Sequence, residues 1–280
     1  MSYNIFLGGA GRMEPITSVV RDIRPDMLGI QEADDERAVA RLAEAVGMEY
    51  VLGVANKIHH VAFLSRFPIV GSRNHPHPGV LRKTMLEVQV RLPGETDLML
   101  FVIHLNATAT IGGERRRMRE MDAILQSIGP RATTPHLMFG DCNSLAPGDS
   151  IVFKSLTAHY ANRMAGAEIG APRRERQMTI GALLDRGARS GLFSGETLLP
   201  RHLVRQVLEA GYIDCFRYLH PDEPGYTFPA PDPAIRLDYV FAPAAMRTWL
   251  LSCDVVDLPA AATASDHRPL LPRFAVPEKA

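Results

Sequence analysis

The sequence has no excess of charge of either sign, because its 31 lysines and arginines equal its 31 aspartates and glutamates. A neutral chain has no overall field that draws it to nucleic acid or to an anionic membrane. The balance therefore argues against a nucleic-acid partner without excluding one. Hydrophobic residues make up 46% and charged residues 22% of the chain, which is typical of a soluble globular protein.

Cysteine is scarce, and its three copies, Cys142, Cys215 and Cys253, stand at scattered positions without a paired motif. An odd number without a disulfide framework is typical of a reducing compartment. The sequence also lacks an apolar run long enough for a transmembrane helix, and its first residues lack the features of a signal peptide. We therefore expect a cytoplasmic protein with no membrane partner, and no obligate protein partner is indicated.

What the sequence contains is an alternation of strands and helices in its first third, followed by strands joined through polar or Pro/Gly loops. The second pattern indicates hairpins. Predicted strands are 3–7, 26–30, 61–64, 85–90, 98–103, 137–139, 237–241, 250–256 and 270–274, and predicted helices are centred on 16–23, 38–46 and 118–128. No repeat or linker divides the chain. We therefore predict one domain, 1–280, with an insertion at about 145–210, where glycines interrupt the helical pattern.

One stretch combines a buried strand with a polar ending: His136-Leu137-Met138-Phe139-Gly140-Asp141-Cys142-Asn143-Ser144. Its glycine lets the backbone turn, and Asp141 and Asn143 then follow one residue apart. Such a pair can hold a water molecule or a phosphate oxygen. An Asx-rich turn after a strand explains the same residues, and the stretch alone favours that turn slightly.

Polar residues end or interrupt several other predicted strands in the same way. They are Asn4, Gln31-Glu32, His104-Leu105-Asn106, Asp238 and Ser265-Asp266-His267. A buried acid or histidine is costly unless it is paired or binds a cation, so the repetition predicts one shared cluster. Oxygen ligands without cysteine suit Mg²⁺ or Mn²⁺, and a histidine beside carboxylates suits a general base that acts on water. The set is what hydrolysis of a phosphate ester needs.

Eight short motifs occur in a characteristic order along nearly the whole chain. They are Tyr3-Asn4-Ile5, Pro25-Asp26-Met27-Leu28-Gly29-Ile30-Gln31-Glu32, Leu64-Ser65-Arg66-Phe67-Pro68-Ile69, Ile103-His104-Leu105, Gly140-Asp141-Cys142-Asn143-Ser144, Gly225-Tyr226-Thr227-Phe228, Arg236-Leu237-Asp238-Tyr239-Val240-Phe241 and Ser265-Asp266-His267. In this order they resemble the endonuclease/exonuclease/phosphatase superfamily of metal-dependent phosphoesterases, which includes DNase I. The resemblance implies an α/β fold of four layers, in which two mixed β-sheets pack face to face with helices outside.

The resemblance also implies a metal site and a general base. Glu32 is expected to be the principal metal ligand, with Asn4 and Asp266 beside it. The expected ion is Mg²⁺, with Mn²⁺ as a second option. His267 is expected to be the general base, oriented by Asp238 from the neighbouring strand.

The resemblance also implies that three further residues act at the phosphate. Asp141 is expected to position or activate the attacking water, Asn143 to contact the phosphate, and His104 to hydrogen-bond a phosphoryl oxygen. The chain has Cys142 where the family usually has an aromatic residue, which changes packing under the loop. As a nucleophile Cys142 is rejected, because the neighbouring carboxylate raises the pKa of a thiol.

Several of these side chains also have a purely structural interpretation. Glu32 alone could be a helix cap, and Asp238 could pair with Arg236. His60 fits a surface histidine as well as a phosphate contact. Arg66 is expected to brace the fold.

Other charged groups are expected to be solvated. They are the histidines of the loop 74–79, the helix-face cluster Arg115, Arg116, Arg117 and Arg119, and the loop arginines Arg173, Arg174 and Arg176.

The sequence therefore predicts a Mg²⁺-dependent phosphoesterase that hydrolyses phosphodiester or phosphomonoester bonds, with an endonuclease or exonuclease as one form. The alternative is a catalytically silent binder of a phosphorylated ligand or protein. Silent members typically lose the base or the metal acid, and His267 and Glu32 are both present. The substrate stays open between nucleic acid, a nucleotide and a small phosphorylated molecule, and the single tryptophan, Trp249, gives nucleic acid little support.

Overall fold

A computed structural model describes residues 1–129, 134–167 and 201–277. In these ranges the strands are β1 Ser2–Asn4, β2 Met27–Gln31, β3 Glu49–Gly53, β4 Val61–Ser65, β5 Ile69–His75, β6 Met85–Leu92, β7 Thr96–His104, β8 His136–Asp141, β9 Tyr212–Asp214, β10 Asp238–Pro243, β11 Leu250–Val255 and β12 Leu270–Phe274. The helices are α1 Met13–Ile23, α2 Glu36–Val46, α3 Ile111–Ile128, α4 Phe153–Ala167, α5 His202–Glu209, α6 Cys215–Leu219 and α7 Ala261–Ala264.

The described strands form two mixed six-stranded sheets, with the orders β11-β12-β1-β2-β4-β3 and β5-β6-β7-β8-β10-β9. Each sheet has a parallel pair near its centre, β1 with β2 in the first and β7 with β8 in the second. Parallel neighbours end at the same edge of a sheet, so the residues that follow them come together there. The predicted α/β sandwich of two mixed sheets is confirmed.

The core between the sheets is built from alternate apolar residues of the central strands, such as Phe63, Val88 and Phe139. Phe139 of β8 reaches across to β2, where Gly29 leaves space for its ring. A Cβ atom at Gly29 would lie 2.2 Å from that ring, so a larger residue there would force the two sheets apart.

The outer face of each sheet is covered by amphipathic helices. One cluster joins α1, α2 and α7 to the first sheet, and another joins α3 and α5 to the second. Two of these helices begin at side-chain caps, because Asp35 accepts from the amide of Ala38 and Thr110 accepts from the amide of Gly113. Helices, two sheets and helices make the four predicted layers. Within the described ranges, no helix has the length and apolar character needed to cross a bilayer.

The helices predicted around 16–23, 38–46 and 118–128 are confirmed as α1, α2 and α3. The strand predicted at 3–7 is shorter, because β1 ends at Asn4 and a 3-10 turn, Leu7–Gly9, follows. Three strands were not predicted: β3, β5 and β9. All three lie at sheet edges, where one side faces solvent and polar residues break the apolar pattern.

Two predictions of solvated charge were wrong. His75 is not in a loop but ends β5, buried, with its Nε2 atom 2.6 Å from the carboxylate of Glu87. Arg117 of α3 is also buried, and it donates to Glu114 at 2.8 Å and to the carbonyl of Asn106 at 2.9 Å. Each charge is tolerated because a partner satisfies it.

Arg66 braces the fold as predicted, donating to the carbonyls of Pro25 and Val46. Residues 168–200, which make up much of the predicted insertion, lie outside the described residues together with Arg173, Arg174 and Arg176. The insertion therefore stays a prediction.

Candidate active site

Strand register places three of the predicted site residues side by side. In the second sheet, His104 at the end of β7 pairs with Asp141 at the end of β8. Asp238 at the start of β10 pairs with the same Asp141 from the other side. Because β10 is antiparallel to β8, its first residue meets the last residue of its neighbour. One histidine and two carboxylates therefore share one edge of the sheet.

Gly140 and Asp141 end β8 at this edge, and an Asx turn begins at Asp141. Gly140 has a φ of 145°, and a Cβ atom there would lie 1.9 Å from the carbonyl oxygen of Ile103, so only glycine fits. The Asp141 carboxylate accepts from the amide of Asn143 at 2.8 Å. The Asx-type turn that the sequence suggested is therefore present, and its second carboxylate oxygen still faces the other site residues.

Asp238 and His267 form a buried pair. Nδ1 of His267 lies 2.8 Å from Oδ2 of Asp238, and Nε2 lies 3.9 Å from Oδ2 of Asp141. Burial lowers the pKa of His267, but Asp238, Asp141 and Asp266 outweigh this and raise it to about 10. Without a cation bound nearby, this ring is therefore held in its charged form.

Asp141 is the centre of the cluster. Its Oδ2 atom accepts from the Asn4 amide at 3.0 Å and lies 3.3 Å from Nε2 of His104. Burial raises the pKa of Asp141, but the hydrogen bond from His104 and the charge of His267 hold it well below its usual range. Burial, with a contribution from Lys83, lowers the pKa of His104 to about 4, so this ring is neutral near pH 7.

Glu32 follows β2 and lies next to Asn4. Its backbone has a φ of 60°, a left-handed conformation that turns the side chain toward the cluster. The carboxylate accepts from the amide of Leu7 at 2.7 Å and from the Asn4 side chain at 3.4 Å. Burial raises the pKa of Glu32, but His104, His59 and the Leu7 amide outweigh it, so the pKa is lowered.

Asp266 completes the group of oxygen ligands that the sequence predicted. Its Oδ1 atom is buried and has no hydrogen-bond partner among the described residues, and Arg163 approaches its other oxygen only to 3.7 Å. Burial raises the pKa of Asp266, and the charge of Glu32 raises it further. Two carboxylates that repel each other, one with an unsatisfied oxygen, fit a hard cation between them.

The fit is to an ion that retains water. Among the residues that the structure describes, no three His, Cys, Asp or Glu side chains converge as a closed metal cage. Mg²⁺ does not need such a cage, since it keeps several waters and binds through one or two carboxylates and a substrate phosphate. Glu32, Asp266 and the Asn4 amide supply donors of that kind.

Two site residues were missed by sequence reasoning. His59, with a φ of 64°, places Nδ1 3.4 Å from Glu32 and packs its ring against His104. Its neighbour His60, which the sequence singled out, instead accepts from the amide of Ala55 through Nδ1. No local pattern distinguishes the two histidines.

The second missed residue is Lys83, just before β6. Its buried ammonium donates to the carbonyl of Leu105 at 2.8 Å. Burial lowers its pKa to about 8, although the charges of Asp141 and Glu32 act in the opposite direction. Lys83 is therefore a cation behind the carboxylate cluster. A lone lysine before a strand gives no signal for this placement.

Basic and aromatic side chains flank the cluster on the side of α4. Arg163 of α4 and Arg12 lie over the ring of Phe6, about 5 Å from its centroid. The ring of Phe228 lies 4.9 Å from that of His267 and 5.0 Å from that of His159. This flank borders Asp266 and His267.

The alternative interpretations of Asp238 and Cys142 fail on geometry. Arg236 is fully buried and pairs with Asp149 and Asp214, not with Asp238. Cys142 points into the core under α3, and burial together with Asp141 raises the pKa of its thiol well above the usual value. It is therefore not an activated nucleophile.

Comparison with known proteins agrees with this architecture. The profile of the Endonuclease/Exonuclease/phosphatase family matches residues 1–267. Among curated proteins, none matches the sequence significantly.

The fold is similar to those of several solved structures. The 3′ phosphatase NExo from Neisseria, bound to a product DNA hairpin, aligns with a TM-score of 0.68, 18% identity and 98% of each chain covered. An AP endonuclease from Archaeoglobus fulgidus aligns with a TM-score of 0.67, 16% identity and 98% of each chain. A humanized D. rerio TDP2 aligns with a TM-score of 0.63, 18% identity, and 98% of this chain against 97% of that one. At such identities the likeness shows the fold.

Proposed function

The chain belongs to the endonuclease/exonuclease/phosphatase family and is a hydrolase of phosphoester bonds, and we propose that it works through the side chains gathered around Asp141. The observation that carries this assignment is the buried series of contacts from Asp238 through His267 to Asp141. It orders a carboxylate, a histidine and a second carboxylate as hydrolysis by an activated water requires.

Members of this family generally depend on a divalent metal, and we propose Mg²⁺, with Mn²⁺ as a substitute. Glu32, Asp266 and the Asn4 side chain would hold it, because they supply oxygen donors and one buried carboxylate oxygen without a partner among the described residues. When bound, the ion would neutralise charge that develops on the phosphoryl oxygens.

His267 takes the proton of the attacking water at Nε2. Its Nδ1 atom donates to Asp238, which fixes the ring and leaves Nε2 directed toward Asp141. A metal ion bound by Asp266 and Glu32 would offset the negative charge of the surrounding carboxylates. Without it, these carboxylates favour the protonated form of the His267 ring. The water oxygen then forms a bond to phosphorus, and the bond from phosphorus to the ester oxygen on the opposite side breaks.

Asp141, Asn143 and His104 orient the reactants. Asp141 accepts a hydrogen bond from the water and so directs its lone pair at phosphorus. The side-chain amide of Asn143 donates to the carbonyl of Leu105 at 3.2 Å in the free protein. This amide and the neutral ring of His104 would contact phosphoryl oxygens as their charge increases. The buried charge of Lys83 adds a smaller contribution that lowers the pKa of Asp141 and Glu32.

The substrate is a phosphoester with a nucleoside or nucleic-acid portion. The support is the flank of Arg163, Phe6 and Phe228 beside the metal carboxylate, since cations and aromatic rings bind phosphates and bases. The similar structure of NExo is bound to a product DNA hairpin, and another similar structure is that of an AP endonuclease. A small phosphorylated molecule is the second candidate. We place the protein in the cytoplasm, which its three buried, free cysteines suit.

The catalytically silent binder stays the alternative, and one panel separates the candidates. Wild-type protein is incubated with Mg²⁺ and single- and double-stranded DNA, RNA, nucleotides, sugar phosphates and phospholipids. Turnover of nucleic acids or nucleotides well above the rest supports the proposed substrate, and preference for sugar phosphates contradicts it. Binding without turnover on every member would make the protein a binder.

A further inference from the structure

A large cavity lies between the two sheets, at the end of the sandwich opposite the candidate active site. Several strands run from this cavity to the candidate active site. In β7, Leu98 and Leu100 line the cavity and His104 ends the strand at the active site; in β8, Leu137 and Asp141 have the same relation. Leu100 lies four positions before His104, or about 13 Å along a strand, whereas Phe139 lies two positions before Asp141, or about 7 Å. The cavity shares no lining residue with the candidate active site.

The cavity has a volume of about 1000 Å³ and a mainly apolar lining. Its walls are continuous with the core between the sheets, with Leu100, Phe139 and Val240 at its inner end and Trp249 partly buried at its side. Water gains few hydrogen bonds from such walls. The size and lining match those of small-molecule sites, which are concave, apolar and marked by a few polar groups.

The charged side chains of this cavity lie where it opens to solvent, and the buried amino group of Met1, which also lines it, donates to the carbonyl of Met27. Arg24, which ends α1, and Arg273 of β12 are exposed and line the cavity, with Asp26 as the acid beside them. In the parts of the chain that the structure describes, neither guanidinium has a salt-bridge partner. A long apolar interior with two available guanidiniums at its entrance is complementary to a molecule with an aliphatic chain and an anionic head.

We propose that this cavity binds an unbranched fatty carboxylate, with the chain between the sheets and the carboxylate against Arg24 and Arg273. The site goes beyond the phosphoesterase activity and uses none of its residues. Burial of the chain supplies most of the affinity, and the guanidiniums select the head group.

The single tryptophan of the chain makes the proposal measurable, because Trp249 lines the cavity. Octanoate, decanoate and dodecanoate are titrated below their micelle concentrations in metal-free buffer, and Trp249 fluorescence is followed. We expect saturable binding, with Kd lower by about fourfold for each added methylene group. Dodecanol and dodecyltrimethylammonium should bind at least tenfold more weakly than dodecanoate. No saturable change, or equal affinity for the cationic amphiphile, would overturn the proposal.

Two variants locate the binding. Leu98→Phe narrows the cavity and should weaken dodecanoate binding by about tenfold or more, whereas Leu208→Phe, on the exposed face of α5, should leave it unchanged.

The double variant R24Q/R273Q changes only exposed side chains and so tests the head group even if Leu98→Phe does not fold. It should weaken dodecanoate but not dodecanol, and Arg41→Gln on α2 is its control. Unchanged dodecanoate binding in R24Q/R273Q would contradict the assigned orientation.

Discussion

Nδ1 of His267 lies 2.8 Å from Oδ2 of Asp238, and both side chains are buried. The carboxylate can only accept, so Nδ1 carries a proton and Nε2 faces Asp141. The two residues come from different elements, the start of β10 and the turn before β12. Their contact therefore depends on the packing of the two sheets. It fixes the orientation of the His267 ring, with Nε2 toward Asp141.

Replacing Asp238 by asparagine should reduce kcat far more than it changes KM. The asparagine amide keeps the shape of the aspartate, but it can either donate to or accept from Nδ1 of His267. The ring is therefore no longer held in the tautomer that leaves Nε2 unprotonated and basic. We expect kcat to fall by roughly 10²–10⁴-fold. Steady-state kinetics on any substrate of the panel measure this, with the exposed Asp254→Asn as control. Loss of less than twofold would show that Asp238 does not orient the base.

Glu32→Gln should act mainly on the metal. The substitution removes one carboxylate charge from the proposed ligand set and keeps its size. We expect the Mg²⁺ concentration for half-maximal activity to rise by roughly tenfold or more, since even indirect partners of a metal typically cost 10–100-fold. Metal titrations of activity, with the exposed Glu44→Gln as control, provide the measurement. An unchanged Mg²⁺ requirement would exclude Glu32 as a ligand.

His104 should make the protein less stable in acid. Burial, with Lys83, lowers the pKa of His104 to about 4, against about 6.5 in an unfolded chain. Between these values the unfolded chain binds a proton that the folded chain does not, so the free energy of unfolding falls as pH drops below about 6.5 and levels off below about 4.

The expected loss from this group at pH 4.5 is about 2 kcal/mol. Urea unfolding in EDTA at pH 7.5 and 4.5 measures it, with His104→Gln as the reference that lacks the titrating ring. The wild-type protein should lose about 2 kcal/mol more than the variant. Equal losses in the two proteins would mean that His104 is not held neutral.

Arg236 should matter for stability. It is fully buried and donates to both Asp149 and Asp214, so Arg236→Met leaves two buried carboxylates without their main partner. We expect the free energy of unfolding to fall by about 3–5 kcal/mol, against almost no change for the exposed Arg247→Met. Chemical denaturation tests this. A loss below about 1 kcal/mol would show that Arg217, which also donates to Asp149, and solvent can satisfy the two acids.

The sequence is informative where a strand is central and its end is polar. Asp141 and Asp238 could be predicted because each interrupts or ends an apolar run that the core requires. Strand register then brings them together without further specification. The same logic fails at the edges, where β3 and β5 carry exposed polar residues and β9 has only three residues, so none gives a periodic signal.

The rest depends on tertiary contacts. His59 faces Glu32 because its backbone adopts a left-handed conformation in an irregular loop. Nothing in the sequence shows which of the two histidines adopts that conformation. Arg117 was expected in solvent because its neighbours Arg115 and Arg119 are there, yet Glu114 and two carbonyls draw it inward. Lys83 enters the site only because the strands on either side of it pair. Apart from the contact between Arg117 and Glu114, none of these contacts is local in sequence.

The central claim is that His267 activates water beside a metal held by Glu32 and Asp266. Its most direct test is steady-state hydrolysis of bis-p-nitrophenyl phosphate by the wild-type protein and His267→Gln, each with saturating Mg²⁺ and with EDTA. The exposed His202→Gln serves as the control variant. We predict turnover only for wild type and the control with Mg²⁺, and a loss of roughly 10²-fold or more in His267→Gln. Full activity in EDTA, or in His267→Gln, would contradict the account.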